Sequence, residues 1–221
     1  MEEGKKWLIV ISIGVVLTIA LVVFYNSSDT KRLAPAEVRE YQGKKLSSVE
    51  DFRENSIKGV QHINISDYTL EIIGAVENPK SYTYEEVLEK QNYEKVVTLD
   101  CVEGWSATIL WKGVLVRDLL DEVEAGENAK EVIFYAYDGY STAFPLVYFY
   151  DKDIIMAYEM NEVTVLPERG FPFVLVSEDK WGYKWIKWIT KIEISDEVGY
   201  EGFWESRGYA REGNLNESFF A

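Results

Sequence analysis

Residues 7–25, WLIVISIGVVLTIALVVFY, run for nineteen positions without a charge, and nothing else in the chain restricts its topology as much. At about 1.5 Å of helical rise per residue, such a run crosses the roughly 30 Å of bilayer hydrocarbon. Trp7 and Tyr25 stand at its two ends, the depth at which aromatic belts lie. The apolar stretch of a cleaved signal peptide is shorter, about 7–15 residues, and leads to a small-residue cleavage site. The sequence FYNSSDTKR offers no such site, so residues 1–25 read as an uncleaved N-terminal transmembrane helix. Lys5 and Lys6 abut the span more closely than Lys31 and Arg32, which favours a cytoplasmic N-terminus. The expected location is the cell membrane, single-pass, with the bulk of the chain extracytoplasmic. Asn-x-Ser sequons at Asn26, Asn64 and Asn216 fit that side.

The remainder must then build its core without those residues. Residues 26–50 are polar and mixed and read as a linker. From 51 to 221 there is neither a second linker nor a repeat, so one domain is expected there. YTLEIIGAV (68–76) alternates apolar and polar and stops at Asn78-Pro79, the pattern of a strand and turn. TYEEVLEKQ (83–91) has a threonine cap and early acids, and LVRDLLDEV (115–123) is amphipathic, so both are expected helices. EKVVTLD (94–100), EVIFYAYD (131–138), FPFVLVS (171–177) and IKWITKIEIS (186–195) are expected strands. Short strands and short helices in irregular order give an α+β or mostly β domain.

Charge and cysteine content remove several functions. The formal net charge is -15, which opposes nucleic acid and anionic lipid headgroups as partners. One cysteine, Cys101, and one histidine, His62, exclude a disulfide within the chain, a cysteine-rich zinc or iron–sulfur site and a histidine-rich centre. Cys101 follows the 94–100 strand and precedes Gly104, which permits a sharp turn, while Trp105 and Trp111 can wall a pocket. A thiolate there is a soft metal ligand or a nucleophile, whereas a buried thiol is a small apolar group. In WGYKWIKWITKI (181–192) lysines alternate with aromatics. Such a pattern stacks single-stranded nucleic acid, holds an anionic group in a tight turn, or is a strand with solvated lysines. On a regular strand Lys184 and Lys187 point to opposite faces.

Five ordered blocks carry a resemblance: CVEGWS, then WKGVLVRDLL (111–120), DGY (138–140), LPERGFPFVLV (166–176) and WGYKWIKWI (181–189). Together they resemble the sulfite-oxidase-like molybdopterin-binding domain, the family of sulfite oxidases, plant-type nitrate reductases and the catalytic subunit of periplasmic methionine sulfoxide reductase. ENSIKG (54–59) and YTLEIIGAVENP (68–79) resemble its leading segment. The resemblance covers roughly 50 to 207 and implies the sulfite-oxidase-type fold.

It also implies roles. Cys101 is the protein's thiolate ligand to molybdenum, or to tungsten as the alternative metal, and the pterin dithiolene supplies the other sulfurs. Lys184, Trp185, Ile186 and Lys187 match the stretch that holds the pterin and its phosphate; Asn55 and Asp138 match further cofactor contacts. Trp105, Tyr140 or Trp111 would wall the substrate site. Two positions depart from the pattern. Arg169 stands where the family has Asn or His, and Val174 where it often has Arg. Arg169 is expected to replace the missing cation at the cofactor phosphate. The implied function is oxygen-atom transfer on a small substrate such as sulfite or a sulfoxide. Electrons would be exchanged with a separate membrane cytochrome or quinone-linked partner, since no haem or cluster motif is present. The alternative is a cofactor-free relative that uses the same fold as a surface binding module.

Overall fold

The structure, a computed structural model, describes residues 36–221. The expected membrane helix falls on residues outside that range. Among the described residues no helix is long and apolar enough to cross a membrane. Glu37–Ala221 form one compact unit.

In chain order the strands are β1 (Glu40–Tyr41), β2 (Lys44–Lys45), β3 (Leu70–Gly74), β4 (Lys80–Tyr82), β5 (Tyr93–Asp100) and β6 (Ser106–Leu115). They continue with β7 (Glu131–Ala136), β8 (Ser141–Pro145), β9 (Ile155–Met160), β10 (Val163–Thr164), β11 (Val174–Val176) and β12 (Ile189–Ser195). The helices α1 (Tyr84–Leu88), α2 (Val116–Glu122) and α3 (Val147–Asp151) are short. One sheet has the order β10-β9-β6-β5, with β11 also paired to β9. The other has the order β4-β3-β12-β7-β8, in which only the β3–β12 pair is parallel. The mixed sheets with few helices are those of the expected α+β class.

Side-chain alternation divides the first sheet between two cores. Met156 and Tyr158 of β9 and Leu175 of β11 enter a core shared with Ile72, Phe134, Ile192 and helix α2. Ile155, Ala157, Val174 and Val176 face the opposite way, with Ile109, Trp111 and Trp185. Period-two geometry produces this split. Fully burying each such side chain contributes about 1.5–3 kcal/mol. Helix α1 begins with the expected cap: Thr83 Oγ1 accepts from the Glu86 N–H, and Glu86 returns a bond from the Thr83 N–H.

The folded unit starts earlier than the composition suggests. Residues 37–50 belong to it, although their polar sequence reads as linker. The Glu37 carboxylate accepts from the Ser48 hydroxyl, the Val49 N–H at 2.8 Å and Asn161 Nδ2 at 3.2 Å, while Leu46 and Val49 are buried. Burial pushes the Glu37 carboxyl up, but the bonds from Ser48, Val49 and Asn161, and the Arg39 charge, outweigh it and hold it below the usual carboxylate value of 4.5. A depressed carboxyl stabilises the fold above that value, and the contribution is lost as pH falls through the folded-state value. Glu37→Gln should therefore lower the urea midpoint at neutral pH and flatten its decline in acid. Parallel pH curves for variant and parent would refute this.

Candidate active site

Cys101 occupies the tip of the β5–β6 hairpin. Its N–H donates to Trp105 O at 2.9 Å, and the Gly104 N–H donates to Cys101 O at 3.0 Å. The turn between them needs the left-handed conformation that Gly104 adopts, φ +83°. This places the thiol, 8% exposed, on the wall of a cavity of about 300 Å³. Burial raises its pKa. Asn55 Nδ2 lies 4.0 Å from Cys101 Sγ. Hydrogen bonds from Asn55 and from Trp105 hold the neighbouring Glu103 carboxyl below the usual range.

A cationic region lies on the same cavity. Arg169 is buried at the end of the 3-10 turn Pro167–Arg169. Its Nε donates to Val49 O at 2.8 Å, its Nη2 to Glu50 O at 3.3 Å, and its guanidinium stacks 4.0 Å from the Phe52 ring centre. Its Nη1 is buried with no partner. Burial depresses the guanidinium, and Glu168, Glu54 and Glu50 oppose that. Lys187 Nζ pairs with Glu54 Oε1 at 2.8 Å and lies 4.2 Å from the centre of the Trp188 ring. Gly170 makes this approach possible: a Cβ there would stand 2.8 Å from Lys187 Cβ. Trp188, next in sequence and also on the cavity wall, is held at φ +52°, a strained conformation for an aromatic residue.

The cavity lining brings together Asn55, Cys101, Trp105, Asp138, Tyr140 and Arg169, and with them Trp185, Ile186 and Lys187. Asp138 is buried and caps its own turn by accepting from the Tyr140 N–H at 2.9 Å. Tyr140 donates its hydroxyl proton to Tyr183 O, so that group is committed to the scaffold. Trp185 packs on Trp111 with ring centres 5.8 Å apart and donates to Lys180 O at 3.1 Å. Val174, where a cation was expected, presents an apolar side chain to the same cavity.

Lys184 is set apart from this group. The strand expected from 186 begins only at Ile189, and Gly182–Lys184 form a 3-10 turn that sends Lys184 away from the cavity. Its Nζ donates to Ala143 O at 2.7 Å, Glu205 Oε1 at 2.7 Å and Arg211 O at 2.9 Å. With all three protons used inside the protein, it has none for a phosphate, so the expected cofactor contact at Lys184 is corrected to a structural one.

Other lining residues escaped the sequence reading. Glu103 and Glu168 lay inside motifs already singled out, CVEGW and PERG. Phe52, Trp204 and Tyr209 had no local signal, because only the tertiary fold brings them to the cavity.

Among the described residues no group of three or more His, Cys, Asp or Glu side chains can hold a metal ion. A metal beside Cys101 would depend on donors carried by an organic cofactor, and the buried, unpartnered Arg169 Nη1 fits an anionic arm on it. Those two features suit a site that would house a cofactor with an anionic tail. Residues 57–204 match the oxidoreductase molybdopterin binding domain, and the chain belongs to that family, of the sulfite-oxidase type.

It is 32% identical over 152 residues to the uncharacterized oxidoreductase YuiH of Bacillus subtilis, covering 68% of this chain and 76% of that one. It is 28% identical over 171 residues to the protein-methionine-sulfoxide reductase catalytic subunit MsrP of Campylobacter jejuni, covering 70% of this chain and 57% of that one. The crystal structure of the sulfane dehydrogenase SoxCD from Paracoccus pantotrophus shares the fold, with a TM-score of 0.65 at 20% identity over 83% of this chain and 52% of that one. The chain thus spans little more than half the length of the last two.

Proposed function

We propose that the chain is a membrane-anchored molybdenum enzyme that transfers an oxygen atom to or from a small extracytoplasmic substrate. The buried Arg169 Nη1, with no partner on the wall that also carries Cys101, carries this reading. The bound cofactor supplies two-electron oxygen-atom-transfer chemistry, in which a sulfoxide plus two electrons and two protons gives a sulfide and water, or the reverse.

The protein's own part is to bind, orient and exclude. Cys101 Sγ would ligate the metal, and Asn55 Nδ2 is positioned to donate to that sulfur. Arg169 and Lys187 would neutralise the phosphate, with Glu54 giving up part of its hold on Lys187. Trp105, Trp111 and Trp185 limit water in the cavity. The apolar run 7–25 supports the anchor, and a separate membrane cytochrome or quinone-linked subunit is the electron partner.

The test is metal and pterin content of the full-length chain made in a host that synthesises molybdopterin. About one molybdenum and one pterin per chain is the expected result. A folded chain without either from a competent host would refute the cofactor assignment. In the same host Arg169→Met should reduce retained pterin roughly tenfold or more, the scale of one lost charge-assisted contact. Wild-type retention in that variant would move the phosphate away from Arg169.

A further inference from the structure

The cavity around Cys101 is bounded by two aromatic groups, of which the second has no part in the cofactor assignment. Phe52 and Trp105 pack with ring centres 5.7 Å apart. Tyr209 lies 5.1 Å from Trp204 and 5.0 Å from Tyr183, again between ring centres. All five line the cavity. Of this second group, Tyr183 and Trp204 lie within the family-matching residues 57–204 and Tyr209 lies beyond them.

The second group is held firmly. The Tyr209 N–H donates to Trp204 O at 3.2 Å, and the Ala210 N–H donates to Phe219 O at 2.9 Å. Tyr183 donates its hydroxyl to Ala210 O at 2.6 Å, and Lys184 reaches Arg211 O at 2.9 Å. A chain segment fixed at four points presents its rings in one arrangement, which is what a specificity surface requires.

The charges near the thiol oppose an anion. Glu103 follows Cys101 by two residues and lines the cavity. Arg53 also lines the cavity, but it pairs with that carboxylate at 4.0 Å and 75% of its side chain is exposed, so water screens its charge. Lys187 is paired with Glu54, and the free arm of Arg169 is assigned above to the cofactor phosphate. Among the described residues lining the cavity, no buried cation is left over for a small oxyanion.

We infer that Trp204 and Tyr209 are specificity-determining residues that select a neutral substrate with a flat or apolar substituent over small oxyanions such as sulfite or nitrate. This rests on the oxygen-transfer reading, because it takes the space beside Cys101 as the substrate site. An apolar substituent gains from leaving water against the rings, while an oxyanion loses hydration and meets Glu103.

The experiment uses inert probes on the full-length, cofactor-loaded chain in detergent. Methyl phenyl sulfone represents the neutral class and sulfate the oxyanions, and binding is read by calorimetry. The sulfone should bind saturably and sulfate should not. Tyr209→Ala and Trp204→Leu should each weaken the sulfone roughly tenfold, the scale of one aromatic contact, and Tyr209→Phe should restore it. With methyl phenyl sulfoxide as substrate the same loss should appear in KM with kcat retained. Two results would overturn the inference: sulfate binding as tightly as the sulfone, or both truncated variants melting as wild type and binding the sulfone unchanged. Pterin content of the same samples reports separately on the cofactor assignment.

Discussion

Cys101→Ser should yield a folded protein that holds no metal and turns over no substrate. Serine is close to cysteine in volume, and residue 101 sits in a turn fixed by backbone bonds to Trp105 and Gly104, so the hairpin should form unchanged. Its stability cost should stay below about 1.5 kcal/mol, as for other near-isosteric replacements. The chemical change is much larger. A hydroxyl is a hard donor that stays protonated at neutral pH, while the thiolate is a soft ligand matched to such a metal. Losing an outer-shell partner already costs about 10–100-fold in metal affinity or activity, so losing the ligand proposed here should exceed the upper end of that range. Metal per chain by mass spectrometry, set beside the thermal midpoint, separates the two effects. Unchanged turnover, or unchanged metal content, would remove Cys101 from the site.

Lys184→Ala should be among the most destabilising single substitutions outside the hydrophobic core, and Lys187→Ala should barely change stability. The two lysines stand three positions apart. Lys184 and Glu205 form an ion pair in which each side chain is 1% exposed. Burial depresses the Lys184 ammonium and Glu205 opposes that. Removing one member leaves a buried charge, which costs about 3–5 kcal/mol, or roughly 6–20 °C in Tm for a unit of this size. Glu205 Oε2 already lacks a partner, and only the Thr142 hydroxyl, at 2.6 Å, would still donate a side-chain bond to Oε1. Lys187 pairs with Glu54, whose side chain is 26% exposed and able to turn to solvent, so its loss should show in pterin content instead. Lys184→Met with Glu205→Leu should recover most of the stability, since a matched apolar pair leaves no charge behind. Equal melting of the two alanine variants would contradict the division of roles.

That division was invisible in WGYKWIKWI, where the lysines look alike. The sequence could show that they leave a regular strand on opposite faces. It could not show that one face holds Glu205 and the other the cavity, because residue 205 comes from a later turn. Strand β5 and the turn at Cys101 were readable, since the run EKVVTLD is closely followed by Gly104, which permits a sharp turn. Strand β9 was not: both its faces are buried, so IMAYEM lacks the alternation that marks a half-buried strand. Residues 37–50 read as linker because Glu37, Ser48 and Asn161 satisfy each other with polar bonds that a hydropathy pattern does not register. The cavity-lining motifs were legible because their chemistry is concentrated in short blocks. Trp204 and Tyr209 belong to no such block.

The origin of the cavity wall also orders events in the life of the protein. Arg169 is tied to Val49, 120 residues earlier, and Lys187 to Glu54, 133 residues earlier. Tyr183 and Lys184 are in turn fastened to Ala210 and Arg211. Contacts of such sequence separation form late, because the loop-closure entropy must be met before they contribute. A nascent chain that has not yet reached residues 210 and 211 therefore has a thiol and a guanidinium but lacks the bonds that fasten Tyr183 and Lys184. A cofactor bound there would meet a fixed wall only once residues 210 and 211 have been made and docked.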